Sequence, residues 1–279
     1  RRSLAALFQG RNSPLGFAGA PHQDGLEVEM HLAPLGQRGK TEAWHILDAT
    51  AESFLITGFQ EPVTPERVRL ALEREEIGTL LERLPVSAGD TVIVPAGTVH
   101  AIGAGVLLYE IQESSDLTFR LYDWGRRDQH GRPRQLHVEE ALAALRPDRH
   151  ARRTRPLELD TDRTILAACR YFLLERWSVQ GSARRARPAG QTFHVLSCTQ
   201  GEARVSGGSA TAEVKVGQTV VLPARIDAVT IEGTATFLAS CVPDLEHDVV
   251  APLLARGYDA EAIAQLAGDT HDLHRFLGL

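Results

Sequence analysis

The chain has 279 residues, 43% hydrophobic and 24% charged, the composition of a globular protein able to bury one large core or two smaller ones. Thirty basic residues against 36 acidic ones leave a formal charge of −6, so no basic field draws nucleic acid or an anionic membrane, and any phosphate site must be local. Cys169, Cys198 and Cys241 are odd in number with no C-x-x-C pair, which argues against a disulfide framework and a thiolate zinc site.

In chain order, residues 3 to 9 read as a short helical piece, and residues 10 to 25 hold Gly, Pro, Asn and Asp at loop density. Glu42 to Leu47 and Ser53 to Gly58 read as strands, and the short link between them suits a hairpin. Thr64-Pro65-Glu66 is an N-cap with Pro at the first helical position, so one or two helices are expected near residues 64 to 84. Strands return at Thr91 to Val94, Val106 to Gln112 and Leu117 to Tyr122. Val138 to Leu145 is a short helix, and the Arg-rich segment from His150 to Arg155 reads as a connection between halves. The second half is again rich in strands, at 171–179, 192–197, 203–205, 219–222, 228–231 and 236–239. From Asp244 onward, periodic Leu, Ile and Ala predict a helical tail. No apolar run approaches the roughly 20 residues of a membrane span. Arg1-Arg2-Ser3-Leu4 has no apolar stretch behind it to make a signal peptide, so a cytoplasmic location is expected. Arg in place of Met at position 1 suggests a start inside a longer reading frame.

The most informative run is Gly89-Asp90-Thr91-Val92-Ile93-Val94-Pro95-Ala96-Gly97-Thr98-Val99-His100. A turn leads into a β-branched strand, Pro95 ends it, and Gly97 admits a backbone angle closed to other residues. The chain therefore bends sharply just before one imidazole. This pattern, G-x5-P-x-G-x2-H, resembles the second motif of the cupin superfamily, whose histidine binds metal inside a small β-barrel. Gly217-Gln218-Thr219-Val220-Val221-Leu222-Pro223-Ala224 repeats its opening, then places Arg225 at the second Gly position and Ala228 at the His position. Two copies of one β-unit, the second without its ligand, account for this most economically.

Strand alternation puts Lys40, Glu42, Trp44 and Ile46 on one face, and Ala43, His45 and Leu47 on the other. Lys40 and Glu42 could be an edge-strand ion pair or part of a site, whereas His45 faces away from Glu42. Further on, Arg120 alternates with Tyr122 and Trp124. An Arg projecting into a barrel needs an anionic partner. A substrate phosphate or enediolate would serve, as would a salt bridge to Asp116, Asp123 or Glu113.

Three strings resemble the type I mannose-6-phosphate isomerase (phosphomannose isomerase) family of the cupin superfamily. They are Gly39-Lys40-Thr41-Glu42-Ala43-Trp44, then Val94 to Ile102, then the run from Glu110 through Ser114-Ser115-Asp116 and Arg120 to Arg126. The likeness covers about residues 36 to 150, and runs more weakly to about residue 243. It implies a mainly β fold of two jelly-roll barrels: a metal-binding cupin domain over residues 1–150 with a helical insertion, a degenerate cupin over 151–243, and a helical tail over 244–279. By the same resemblance, Glu42 and His100 would be ligands of one zinc ion, Arg120 the catalytic arginine, and Lys40 a contact to substrate or its phosphate. The family's Gln-Val-His-Pro, upstream of the Gly-Lys-Thr-Glu string, has its nearest match here in Glu29-Met30-His31-Leu32. His31 would be the third ligand.

The implied reaction interconverts mannose 6-phosphate and fructose 6-phosphate, moving a proton between C1 and C2 while negative charge develops on the carbonyl oxygen. A divalent ion and a nearby guanidinium stabilise that charge. A set of imidazole and carboxylate ligands suits a catalytic zinc, and also manganese or iron. Lys40, Glu110, Glu113 and a metal-bound water all stand as candidates for the proton-transfer base. The alternatives are a non-catalytic bicupin that binds a sugar or phosphate with an incomplete metal site, and another cupin enzyme such as a dioxygenase or epimerase. A small-molecule sugar phosphate is the expected partner, with neither nucleic acid nor membrane.

Overall fold

The computed structural model describes residues 4–9, 26–29, 39–115, 117–186 and 192–279, the first two segments as backbone. The first half is built from β1 (Leu4–Gln9), β2 (Leu26–Glu29), β3 (Glu42–Ala49), β4 (Phe54–Phe59), helix α1 (Pro65–Glu73), β5 (Leu81–Pro85), β6 (Thr91–Val94), β7 (Val99–Ile102), β8 (Val106–Glu113), β9 (Thr118–Tyr122) and helix α2 (Val138–Ala144). After it come β10 (Arg152–Arg153), β11 (Leu157–Glu158), β12 (Arg163–Ala168), β13 (Leu173–Ala186), β14 (His194–Gly207), β15 (Ala210–Lys215), β16 (Thr219–Leu222) and β17 (Ala228–Cys241).

Two sheets of the first half face each other, with strand orders β1-β8-β3-β6-β10 and β5-β4-β7-β2-β9. Alternation sorts their side chains. Trp44, Ile46, Val92, Val94 and Leu108 of one sheet meet Leu55 and Ile102 of the other in a shared interior. On the outside of the second sheet, Ile56, Val99, Ala101 and Leu121 pack beneath Val68 and Ala71 of α1 and Ala141 and Leu142 of α2. The outside of the first sheet is buried too: Ala43, Ile93, Tyr109 and Ile111 pack against Leu166, Phe172, Leu174 and Leu238 of the second half. Burial on both faces explains why these strands are nearly continuously apolar.

Three local expectations are corrected. Residues 4–9 form a strand rather than a helix, because all six pair in antiparallel register with β8. β3 and β4 are not a hairpin: β3 pairs with β6 and β8, while β4 pairs with β5 and β7 in the opposite sheet. The helical insertion is shorter than expected. Thr64 caps α1 by accepting a hydrogen bond from the Arg67 backbone N–H at 3.2 Å. After the short 3-10 turn Ile77–Thr79, the leucines at 81 and 84 belong to strand β5, which pairs with β4.

The second half is one seven-stranded sheet, ordered β11-β12-β13-β17-β14-β15 with β16 also on β14. It wraps a core of Trp177, Leu196, Val205, Leu222, Ile231 and Phe237. The tail is helical as expected, a π-turn over Leu245–Val250 followed by α3 (Ala251–Ala255), α4 (Ala260–Ala264) and α5 (His274–Leu277). Its Leu245, Val249, Leu253, Ile263 and Leu266 cover Ile165, Leu173 and Cys241. The segment after α4 then reaches the first half. A Cβ on Gly268 would lie 2.3 Å from Ile93 Cγ2, and Asp269 accepts from the His150 backbone N–H at 3.3 Å. Asp272 accepts from the backbone and side chain of Arg170 at 2.9 and 2.6 Å. The tail thus braces both halves where β6 meets β12. No helix among the described residues is long and apolar enough to cross a membrane.

Candidate active site

The bend read from sequence is present. Gly97 has φ +89°, and a Cβ there would sit 2.9 Å from Arg146 Cγ and 3.2 Å from the Ala144 carbonyl oxygen. The chain turns tightly under α2 and re-enters the opposite sheet as β7. This delivers His100, 4% exposed, to the interior. Its Nδ1 lies 2.9 Å from the Thr98 carbonyl oxygen. A carbonyl only accepts, so Nδ1 carries the proton and Nε2 presents its lone pair, the tautomer a metal ligand requires.

Glu42 begins β3, opposite Val94 and Gln112, and Trp44 lies opposite Val92 and Glu110. Directly paired residues share a face, so Glu42, Trp44, Glu110 and Gln112 look inward together. The His100 ring stands edge-on to Trp44 with 5.3 Å between centroids. Sites on opposite sheets, far apart in sequence, therefore share one interior. Lys40 pairs with Glu42 and lies 3.9 Å from Glu110 Oε1, with side-chain exposures of 13% for Lys40, 2% for Glu42 and 5% for Glu110. The ion pair exists, but at the start of β3, which has a paired strand on each side, rather than at a sheet edge. One ammonium shared by two buried carboxylates makes further positive charge favourable here.

Arg120 and His100 both lie in register with Glu27 of β2, on its two sides, so they occupy one level and one face of the second sheet. Arg120 donates to the Gln135 carbonyl at 3.3 Å. Asp123, one of its conceivable partners, is engaged otherwise. It accepts from Arg126 at 2.6 and 3.0 Å and from Arg134 Nε at 2.7 Å. Burial raises the Asp123 pKa, but the two guanidiniums outweigh it and hold the carboxyl below its usual range. Asp116 and His31 lie outside the described residues.

His45 faces outward as expected, its Nδ1 2.8 Å from Thr91 Oγ1. Burial, with the Arg176 charge, pulls its pKa to about 4. Glu113, a candidate base by sequence, is on the alternate face from Glu110, and its charge bears on Tyr171 of the second half. Sequence reasoning missed the inward Gln112 and the Trp44 contact to His100; the alternation of β8 against β3 was the available signal.

The metal fits the donors present: one imidazole in the right tautomer, one or two carboxylates on the facing wall, and no thiolate. Among the described residues no three His, Cys, Asp or Glu side chains form a group able to hold an ion.

The second half repeats this frame. His194 lies opposite Leu222, just before Pro223, as Glu42 lies opposite Val94 just before Pro95. Ala228 follows Pro223 by the same interval that separates His100 from Pro95, but Val229 and Ile231 are the residues packed in the core. No imidazole enters there from the strand after the bend.

The family model described as mannose-6-phosphate isomerase, cupin domain, matches residues 161–242. The chain is 36% identical over 252 residues to the mannose-6-phosphate isomerase ManA of Bacillus subtilis, covering 86% of this chain and 78% of that protein. It is 32% identical over 226 residues to the mannose-6-phosphate isomerase of Streptococcus mutans, covering 78% and 70%. The crystal structure of the mannose 6-phosphate isomerase from Bacillus subtilis superposes with a TM-score of 0.72 at 27% identity, over 80% of this chain and 73% of that one. A putative mannosephosphate isomerase from Archaeoglobus fulgidus, 20% identical with a TM-score of 0.60, shares the fold over 80% of this chain and 68% of its own. On the extent of these matches, the chain belongs to the type I mannose-6-phosphate isomerase family of the cupin superfamily.

Proposed function

We propose that this chain interconverts mannose 6-phosphate and fructose 6-phosphate, as an aldose-ketose isomerase dependent on one divalent metal ion, zinc. One observation carries this: Lys40, Glu42, Glu110 and His100 line one interior, with Arg120 on the same face of the second sheet. Glu42 and His100 would hold the ion, with His31 the third ligand. When bound, a divalent ion supplies Lewis-acid polarisation of the sugar carbonyl.

The remaining work falls to the side chains. Arg120 stabilises the developing oxyanion as a fixed guanidinium that needs no reorganisation. Lys40 and Glu110 stand on the inner wall and serve the proton transfer between C1 and C2, whereas Glu113 faces the other way. The buried interior limits water access, which strengthens each of these charges. The division proposed is a catalytic cupin over residues 1–150, a second, degenerate cupin over 151–243 and the tail over 244–279, a bicupin whose second barrel has lost its imidazole.

Isomerisation assayed with purified protein before and after chelation tests the reading. Activity that disappears with chelator and returns with zinc is expected. Sugar-phosphate binding without turnover in the metal-loaded protein would select the non-catalytic alternative.

A further inference from the structure

Arg120 sits on β9, an edge strand of the second sheet that pairs with β2 alone among the described strands. Its outward backbone edge is occupied all the same. The Arg120 carbonyl accepts from the His137 backbone N–H at 2.8 Å, and the Arg120 N–H donates to His137 Nδ1 at 3.3 Å. An imidazole nitrogen thus stands where the carbonyl of a neighbouring strand would be. Nδ1 accepts here, so the ring is neutral with its proton on Nε2, the opposite tautomer to that of His100. Just upstream, the Gln135 carbonyl accepts from the Arg120 guanidinium at 3.3 Å. The segment from Gln135 to His137 therefore holds both the backbone and the head of Arg120.

The His137 side chain is unusual for its place in the chain. It is the N-cap of α2, its carbonyl accepting from the Ala141 N–H at 2.8 Å, a position where Ser, Thr, Asp or Asn ordinarily turns its side chain onto the helix. The imidazole makes no such bond. It faces β9 instead, edge-on to Phe119 with 6.2 Å between centroids. Gln135 and Leu136 are exposed and give the segment little other hold. The elements on either side are anchored independently: α2 by Ala141 and Leu142 in the core and by the pairing of Glu139 with Arg69, the preceding loop by Arg134 on Asp123. His137 is the clip that fastens both to Arg120.

We propose that His137 is a positioning residue for Arg120, fixing the strand that carries the guanidinium and the Gln135 carbonyl that orients its head. It acts on the reaction only through Arg120, so the inference rests on the oxyanion role proposed for that residue.

Steady-state isomerisation by the zinc-loaded parent, H137A, H137F, H137N, R120A and R120A/H137A tests this. H137A should lower kcat about 10–100-fold, the scale of a small misplacement at a reacting centre, with KM changed by less than about threefold. H137F keeps a ring beside Phe119 and removes the acceptor, and should behave as H137A does. H137N, whose side-chain oxygen can accept from the Arg120 N–H, should recover most of the loss. In the R120A background H137A should cost less than about a further twofold, because the group it positions is gone. The melting temperature of H137A should fall by no more than about 4 °C, the scale of one neutral hydrogen bond in a chain of this size. An equal fractional loss of kcat in both backgrounds overturns the proposal, as does full activity of H137A and H137F. The Arg120 Nε–H resonance of isotope-labelled protein, assigned by its absence in R120A, gives a second reading that needs no turnover. It should shift in H137A and H137F and return toward the parent position in H137N. An unmoved resonance overturns the proposal, whereas a moved resonance in a parent that shows no isomerisation would refute the isomerase reading and leave the positioning by His137 standing.

Discussion

The imidazole of His100 meets the indole of Trp44 at an interplanar angle of 68° and a centroid distance of 5.3 Å. The two residues come from opposite sheets, 56 positions apart in the chain. Trp44 shares its face with Glu42, so the contact ties the carboxylate wall to the imidazole wall. With the Thr98 carbonyl fixing Nδ1, the ring is restrained both along its plane and at its edge.

Lys40 pairs with the Glu42 carboxylate and lies 3.9 Å from Glu110. Removing it in K40M leaves two buried carboxylates without this ammonium, and breaking such a pair costs about 3–5 kcal/mol. The metal-free variant should melt well below the parent, and zinc should raise its melting temperature more than it raises the parent's. Equal melting of the two metal-free proteins would show that the pair carries no such weight.

Arg120 is proposed to act on the developing oxyanion, so R120A should lower kcat by about 10²–10³-fold, the usual loss on removing one oxyanion donor. Zinc content per chain should stay the same. If zinc is lost along with turnover, the guanidinium supports the fold of the site instead.

His45 gives the fold an acid-sensitive element. Burial is the first cause of its depressed pKa, the Arg176 charge adds to it, and Asp90 opposes it, leaving the group near 4 in the folded chain. The unfolded chain binds the proton first, at about 6.5. Stability attached to this group is therefore whole above that pH and declines as pH falls toward 4, by about 3 kcal/mol in all. Urea unfolding of the parent and H45Q across pH 4 to 7 should show a shallower pH slope in the variant. Parallel slopes would assign the acid sensitivity to other groups.

Gly97 combines a positive φ with close backbone approach. G97A should lose at least about 1–2 kcal/mol from the left-handed backbone alone, read as a lower urea midpoint. Because the bend aims His100, zinc affinity should fall too. An unchanged midpoint would mean the turn relaxes freely.

Much of this architecture is legible in local chemistry. The Pro95 and Gly97 bend, the two faces of β3 and the repeat at Gly217 to Pro223 follow from residue type and alternation, because each is set within a few residues. Long-range pairing is not written that way. Leu4–Gln9 becomes a strand only because β8 offers an open edge, and the four-residue link after β3 resembles a hairpin turn although it crosses between sheets. The leucines of β5 fit a helical period and a strand equally well until β4 pairs with them. Nor does the tail's periodicity disclose that Gly268, Asp269 and Asp272 fasten the two halves together. At the site, Glu42, His100, Lys40 and Arg120 stand out by motif, while the choice of Glu110 over Glu113 depends on β8 register.

The most direct test of the account is zinc bound per chain, measured after dialysis for the parent, E42Q and H100A, with circular dichroism confirming folded protein. The parent should hold one zinc, and each variant should bind at least about 100-fold more weakly, beyond the 10–100-fold typical of losing a mere supporting partner. Full zinc retention in either folded variant would contradict a single ion gripped jointly by Glu42 and His100.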